Sequence, residues 1–534
     1  MSSDVIRIYK TLHTWTGLIA GMALFICFFA GALTMFKGEL GRWAAPPAKA
    51  PLAWVGEAQW PALIGATVAA HPAAARGFVL HLQPSEDVPA PLVWRDPPGR
   101  GPAPGAVFFG ATLDQQGNPR SVPFQPTALG ELIDQLHQTA GIPGRGHHLW
   151  GVYIMGAVSV LYALALVSGL IVLLPTLVKD LFALRAGKNR KRFWLDAHNV
   201  VGITSLPFHL MIALTVIVFA FHDQIYDGLQ VAVYGDRPIF GDRPAQDHSA
   251  TRDPGELLSP AQLSKRLAAL APSFQPREIT YSDVLTDHAR VRVAGVDPGH
   301  MLRGADRGFA AMDPYSGAIL DTAYLPGHEG PWTDIVITFF ALHFGNFGGA
   351  FMRWVYFLLG LSGAFLFYTG NLLWIETRRR KQRRGGDTPV QRRVTRAMAS
   401  ATVGVCWGSV AGVCAAMVAG KWLHGVVESQ SALYMSAYYS VFLASVAWAF
   451  VAGPARSLVH LLAASAAFAL AIPATSLLAA VLPSSPAWLH TAPDLLAVEV
   501  TALVGGLLLL VMTRRTARRV RHGSRDSVWA SGTP

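Results

Sequence analysis

Residues 194–223 read WLDAHNVVGITSLPFHLMIALTVIVFAFHD. From residue 196 to 220 this stretch is apolar and long enough to cross a bilayer, which takes about 20 residues of helix. Yet it carries His198 and His209, and His222 follows at its end. An imidazole ring in hydrocarbon is costly unless something holds it, so in a membrane span it points to function.

The rest of the chain has the same character. Its 534 residues are 52% hydrophobic and only 14% charged, with a mean hydropathy of +0.34. That composition belongs to a polytopic α-helical membrane protein. Eight segments are long enough to span: 8–36, 148–174, 196–220, 352–375, 397–420, 432–451, 458–481 and 495–512. The first is too long for a signal-peptide core and reads as an uncleaved span. The net charge of +11 sits in short runs beside these segments, such as KDLFALRAGKNRKRFW, RRRKQRRGGDTPVQRR and RRTARRVRHGSR. This is the pattern of membrane topology, with no sign of nucleic-acid binding. All three runs fall on one side if the N-terminus lies there, and the positive-inside rule makes that side cytoplasmic. Both termini are then cytoplasmic, and the loops over 37–130 and 223–330 face the opposite side. Cys27, Cys406 and Cys414 lie in apolar runs with no CxxC or CxxCH, against a disulfide framework, a zinc ribbon or covalently attached haem.

A long repeat is visible. The first span opens on LHTWTGLIAG and the third on DAHNVVGITS, both His-x-x-x-Gly. Each is followed by a polar, Pro-rich outer region that ends in a short helix with Leu-His and a glycine break, GELIDQLHQTAGIPG and DIVITFFALHFGNFGG. Each then enters a span with a late glycine, YALALVSGLIVLL and FLFYTGNLLWIE. Residues 1–385 thus read as a parallel internal repeat about an axis along the membrane normal. VFFGATLDQQGNPRSV and RGFAAMDPYSGAILDT both read as strand, Asp-containing turn, strand, so each outer region is expected to be a small α+β domain.

The expected order is a first span over 1–36, an outer domain over 37–147 ending in the His137 surface helix, and a second span with its basic loop over 148–192. A third span follows over 193–222, a second outer domain over 223–350 ending in the His343 surface helix, and a fourth span with its basic loop over 351–396. A four-helix extension over 397–513 and a basic tail over 514–534 complete the chain.

The repeat makes His13 and His198 equivalent near the inner face, and His137 and His343 equivalent near the outer face. A pseudo-two-fold axis would bring each pair toward the centre, where two rings can ligate one metal. A haem, a bare ion, a proton relay and plain packing are the available roles. On a straight helix His198 and His209 lie roughly 20° apart around the axis and about 16 Å along it, as ligands at two depths would. Pro207 can kink the helix and change that spacing, and His209 reads equally as a hydrogen bond to a neighbouring span. His147, His148 and His222 read as interfacial or substrate-facing, and His424, His460 and His490 as packing. Trp15, Trp150, Trp194, Trp332, Trp354 and Trp374 read mostly as an interfacial aromatic belt. There is no P-loop, dinucleotide fingerprint, HExxH or serine elbow. Electrons, if carried, come from a membrane quinol or a cytoplasmic donor.

LHTWTGLIAG, the LHQ before the second span, RFWLDAHNVVGITSLPFHLMIALT, and LHFG with the following FGG and YFLLGLSGAFLFYTGNLLW resemble the PepSY-associated transmembrane family over roughly residues 5–385. MDPYSGAIL is similar to the end of a PepSY domain. The resemblance implies two PepSY-like periplasmic domains, a bacterial inner-membrane location and b-type haem, two groups by the count of histidine pairs. It implies ligands at His13, His137, His198 and His343, with His209 a further candidate, and reduction of ferric-siderophore complexes as the activity. A transporter of metal or a small molecule, and a PepSY-type binding or regulatory protein, are the rival readings. The first would more often place acidic residues within its spans, and the second leaves the paired histidines unexplained.

Overall fold

The structure is a computed structural model that describes residues 3–47, 52–84, 88–97, 107–124, 127–144, 150–180, 184–185, 190–236, 252–304, 308–382, 389–427, 429–482 and 484–530. His147 and His148 lie outside the described residues. In chain order the elements are α1 (Ser3–Thr34), α2 (Lys37–Ala44), α3 (Trp60–Ala70), β1 (Gly77–His81), β2 (Leu92–Asp96), β3 (Val107–Leu113), β4 (Pro119–Phe124), α4 (Leu129–Thr139), α5 (Trp150–Leu173), α6 (Leu177–Asp180), α7 (Arg190–Thr204), α8 (Leu206–Ala220) and α9 (His222–Leu229). Then come α10 (Pro260–Leu270), β5 (Gln275–Ser282), β6 (Arg290–Val296), β7 (Gly308–Met312), β8 (Ile319–Tyr324), α11 (Pro331–Phe344), α12 (Gly349–Thr377), α13 (Arg393–Trp422), α14 (Gln430–Ala452), α15 (Pro454–Val481) and α16 (Pro493–His522).

The chain divides into two units. Residues 1–47, 127–225 and 354–534 form a helical unit, and residues 48–126 and 226–353 form the other. Among the described residues, seven helices are long and apolar enough to cross a membrane, and α7 with α8 makes an eighth if that bent pair is one span. The chain is a multi-pass membrane protein, with spans close to those expected from the sequence.

The third span departs from expectation. Its two halves meet at 67°, with Ser205 at the break and Pro207 in the first turn of α8. Proline lacks the N–H that would continue the ladder. The Thr204 and Ser205 hydroxyls donate back to the Val200 and Val201 carbonyls, at 2.9 and 2.6 Å, a bond that favours bending. The straight-helix spacing of His198 and His209 therefore does not hold.

Within the helical unit α1 is central. It runs antiparallel to α12, with Gly21 against Asn371, Phe28 against Gly363 and Ala32 against Gly360. Helix α4, expected as a surface helix of an outer domain, belongs to this unit instead. Its Leu129, Leu132, Ile133 and Leu136 are at most 1% exposed, in one core with Ile26 and Ala30 of α1 and Tyr434 and Tyr438 of α14. An 11-residue helix is marginal alone, and these side chains supply the apolar face it must bury. Of the tryptophans assigned to a belt, Trp15, Trp150, Trp332 and Trp354 are exposed, but Trp374 is buried against Ile375, Ala399 and Val403.

The second unit corrects the expectation of two small domains. Its strands form one antiparallel sheet in the order β4-β3-β2-β1-β5-β6-β7-β8. The first and second outer regions contribute four neighbouring strands each, and β1 pairs with β5 from Gly77↔Ser282 to His81↔Glu278. Two four-stranded sheets would each leave a strand with unpaired N–H and C=O groups, and joining them satisfies both. One core underlies the sheet, with Leu63 and Ile64 of α3 and Leu263 and Leu267 of α10 packed on Phe78, Leu80, Ile279 and Tyr281. The two hairpins read from the sequence are present as β3–β4 and β7–β8. Asp114 accepts from the Gln116 and Asn118 amides, and Asp313 from the Tyr315 and Ser316 amides.

Candidate functional site

The helical unit brings His13 of α1 and His198 of α7 together. Their ring centroids are 6.4 Å apart and their planes nearly perpendicular. Each ring is held by one nitrogen. His13 Nδ1–H donates to the Ala165 carbonyl of α5 at 2.8 Å. His198 Nδ1 lies 3.0 Å from Thr369 Oγ1 of α12. The single hydroxyl proton of Thr369 goes to the Phe365 carbonyl at 2.8 Å, so toward His198 the oxygen accepts and Nδ1 donates. In both rings Nε2 is then the nitrogen that keeps its lone pair. A hydrogen bond at one nitrogen that orients the other is how metal-ligating histidines are held.

The late glycines of the second and fourth spans sit against these rings. A β-carbon at Gly169 would lie 2.9 Å from the His13 ring, and one at Gly370 would lie 3.7 Å from His198. The first position tolerates no side chain without displacing the histidine.

A second group lies farther along α1. His137 of α4 donates Nδ1–H to the Cys27 carbonyl at 3.0 Å, and its ring rests on Gly31, where a β-carbon would come within 2.7 Å of it. Cys27 is fourteen residues beyond His13, roughly 21 Å along the helix. His209 of α8 is fully buried. Its Nδ1 is 2.6 Å from the Tyr162 hydroxyl of α5, and its ring faces Phe28 at 5.5 Å and Phe208 at 5.4 Å. The other nitrogen, Nε2, is buried with no hydrogen-bond partner among the described residues. An orphaned buried imidazole nitrogen costs about 1–3 kcal/mol.

His343 lies on α11 of the other unit, mostly buried, with its ring edge-on to Phe344 at 5.3 Å. His222 is exposed, donating to the Phe219 carbonyl and lying 3.1 Å from Asp223. His424 packs edge-on to Trp488, His460 stacks on Trp448, and His490 donates to the Ala45 carbonyl. The packing read for these last three matches their surroundings. Among the described residues, no group of three or more His, Cys, Asp or Glu side chains could hold a bare metal ion.

Sequence reasoning missed Tyr162, Thr369 and the Ala165 carbonyl as the partners that orient the rings. The signal available was position. Thr369 immediately precedes the late glycine of the fourth span, and Ala165 stands one helical turn before that of the second.

The helical unit of this multi-pass membrane protein thus brings His13 beside His198 and, farther along α1, holds His137 and His209 each by one ring nitrogen. The family of the PepSY-associated TM region matches residues 10–377, more than half of the chain, and this protein belongs to it. A comparison with curated proteins returns no match.

Proposed function

We propose that the chain is a haem-b reductase of the bacterial inner membrane that carries electrons to periplasmic ferric-siderophore complexes and so releases Fe(II). The observation that carries the reading is the His13–His198 pair. Two imidazole nitrogens, each about 2 Å from a shared metal, set ring centroids roughly 6 Å apart, and the rings lie at 6.4 Å. The donor set fits haem better than a bare ion, because two neutral imidazoles, with no third His, Cys, Asp or Glu beside them among the described residues, would suffice to hold a haem.

His13 and His198 would hold the first haem. Their tethers to Ala165 and Thr369 would leave Nε2 of each ring as the nitrogen free to bind the iron. For the second haem the candidates are His137, His209 and His343. His209 is supported by its Nε2, unpartnered among the described residues, and His137 by its tether to Cys27; His343 rests on its equivalence to His137 in the sequence pattern and on the resemblance. A bound haem supplies one-electron chemistry at its iron. The protein's part is to orient the ligands and exclude water, with the Phe28, Phe208 and Phe367 rings packed beside His209 and Tyr162. The basic runs beside the spans support an orientation with His13 at the cytoplasmic level, where a quinol or a cytoplasmic donor delivers the electron. The acceptor follows from its chemistry. Hydroxamate or catecholate oxygens hold hard, trivalent iron tightly and hold ferrous iron less well, so one electron frees the metal.

The test is the absorbance of the purified protein. A Soret band that shifts on dithionite reduction is expected, with His13→Ala and His198→Ala each losing the same haem. Retention of full haem by either variant would overturn the pairing. A colourless protein whose vesicles accumulate metal without a reductant would overturn the reading itself in favour of transport.

A further inference from the structure

We infer that the C-terminal four-helix extension, which lies beyond the family match, is the scaffold that fixes the His137 ligand, and that Tyr439 is its positioning residue. The inference rests on the reading of His137 as a ligand in the helical unit.

Helix α4 ends just past His137. Ala140 and Gly141 both take left-handed backbone conformations, with φ of 52° and 80°, and such an end frays unless its carbonyls find partners. The partner comes from α14. The Tyr439 hydroxyl donates to the Gly141 carbonyl at 2.6 Å and accepts from Gln135 Nε2 at 3.2 Å. One phenol therefore grips the backbone four residues after His137 and the side chain two residues before it. A second grip is apolar, because Tyr438, 1% exposed, packs with Leu132 and Leu136 in a core that also takes Val413 and Met417 of α13. Helix α1 holds the ring itself, through the Cys27 carbonyl and Gly31. Cys27 Sγ of α1 also donates to the Leu136 carbonyl at 3.6 Å, so α1 holds the ring and the middle of the helix while α14 holds its C-terminal end. A shift of α4 relative to α1 would carry Nδ1 off the Cys27 carbonyl. Tyr439 is half-buried, and among the described residues its hydroxyl bonds to Gln135 and Gly141. Its hydroxyl therefore acts on the position of α4.

Tyr439→Phe removes only the hydroxyl. In the full-length protein it is expected to raise hydrogen exchange of the amides over residues 136–141 by about fivefold to tenfold, the worth of one hydrogen bond, and to leave residues 10–20 of α1 unchanged. In the haem-loaded protein it should broaden the low-spin EPR signal and shift the midpoint potential of one haem, leaving the haem lost in His13→Ala untouched. Gln135→Leu should produce the same two changes more weakly. Tyr439→Phe with wild-type exchange, or with both haem signals unaltered, would overturn the inference. Wild-type protein without haem would overturn the functional reading instead, and the exchange result would still show whether Tyr439 fixes α4.

Discussion

An acceptor for one ring N–H fixes which nitrogen of a neutral histidine presents its lone pair and where it points, and Thr369 does this for His198 because its own proton goes to Phe365. Thr369→Val keeps the shape and removes the acceptor. We expect haem retention to weaken by about tenfold or more, measured by transfer to an excess of a haem-binding acceptor, with Thr369→Ser restoring it. Gly169→Val should act by a different route, since a β-carbon already falls 2.9 Å from the His13 ring. The closeness of His13 and His198 was legible because both spans open on the same His-x-x-x-Gly pattern, which suggested that the two rings meet. Tyr162, Thr369 and Ala165 were not, because a repeat says nothing about which neighbouring span presents a hydroxyl or a carbonyl at that depth. The orphaned Nε2 of His209 is likewise a property of packing, invisible in a pattern of residues.

Among the elements, the span positions were readable from hydrophobic length alone, whereas the bend between α7 and α8 depends on Pro207 acting with two back-bonding hydroxyls. The place of α4 was misread for a similar reason. Its apolar stripe is plain in the sequence, but which unit receives the stripe depends on helices three hundred residues later. The extension also holds α2, through a cluster of buried polar groups. Lys421 of α13 is wholly inaccessible, its Nζ 2.6 Å from Ser476 Oγ of α15, 3.6 Å from Glu499 Oε1 of α16 and 3.9 Å above the Trp43 ring of α2. The same Glu499 oxygen accepts from Trp43 Nε1 at 2.6 Å and from Ser476 Oγ at 2.5 Å. Lys421→Met strands a buried carboxylate and is expected to destabilise by about 3–5 kcal/mol. Lys421→Met combined with Glu499→Leu should cost less than the sum of the two single changes. Thermal unfolding in detergent measures both, and strict additivity would mean that the lysine and the carboxylate act independently.

Taken whole, the chain passes between its two units four times, and the single sheet pairs strands from regions about two hundred residues apart. That connectivity is why the outer regions read as two domains. Each supplies a complete local pattern of helix, strands and hairpin, and only the pairing of β1 with β5 shows that neither is finished alone. The C-terminal tail closes the helical unit in a comparable way. Asp526, 5% exposed, accepts from the Gln382 amide at 2.9 Å and from the Ser524 hydroxyl and the Arg379 guanidinium. Its own carbonyl accepts from Gln391 at 2.7 Å. The stretch after α12 is thereby fastened to the end of the chain. Burial opposes ionisation of Asp526, but the hydrogen bonds from Ser524, Gln382 and Arg379 and the nearby guanidinium charge outweigh it and push the carboxyl down to about 2. A depressed carboxyl contributes stability that is fully present above the ordinary aspartate range, near 4, and lost as pH falls through the folded value. The tail is therefore expected to stay docked at neutral pH and to release between about pH 4 and pH 2. Asp526→Asn should remove roughly 2 kcal/mol of docking at neutral pH. Hydrogen exchange over residues 523–530, corrected for the intrinsic pH dependence of exchange, reads both effects. A tail equally protected at pH 2 and pH 7, or unaffected by Asp526→Asn, would show that Trp529, buried beside Trp374 and Leu461, fastens it without the carboxylate.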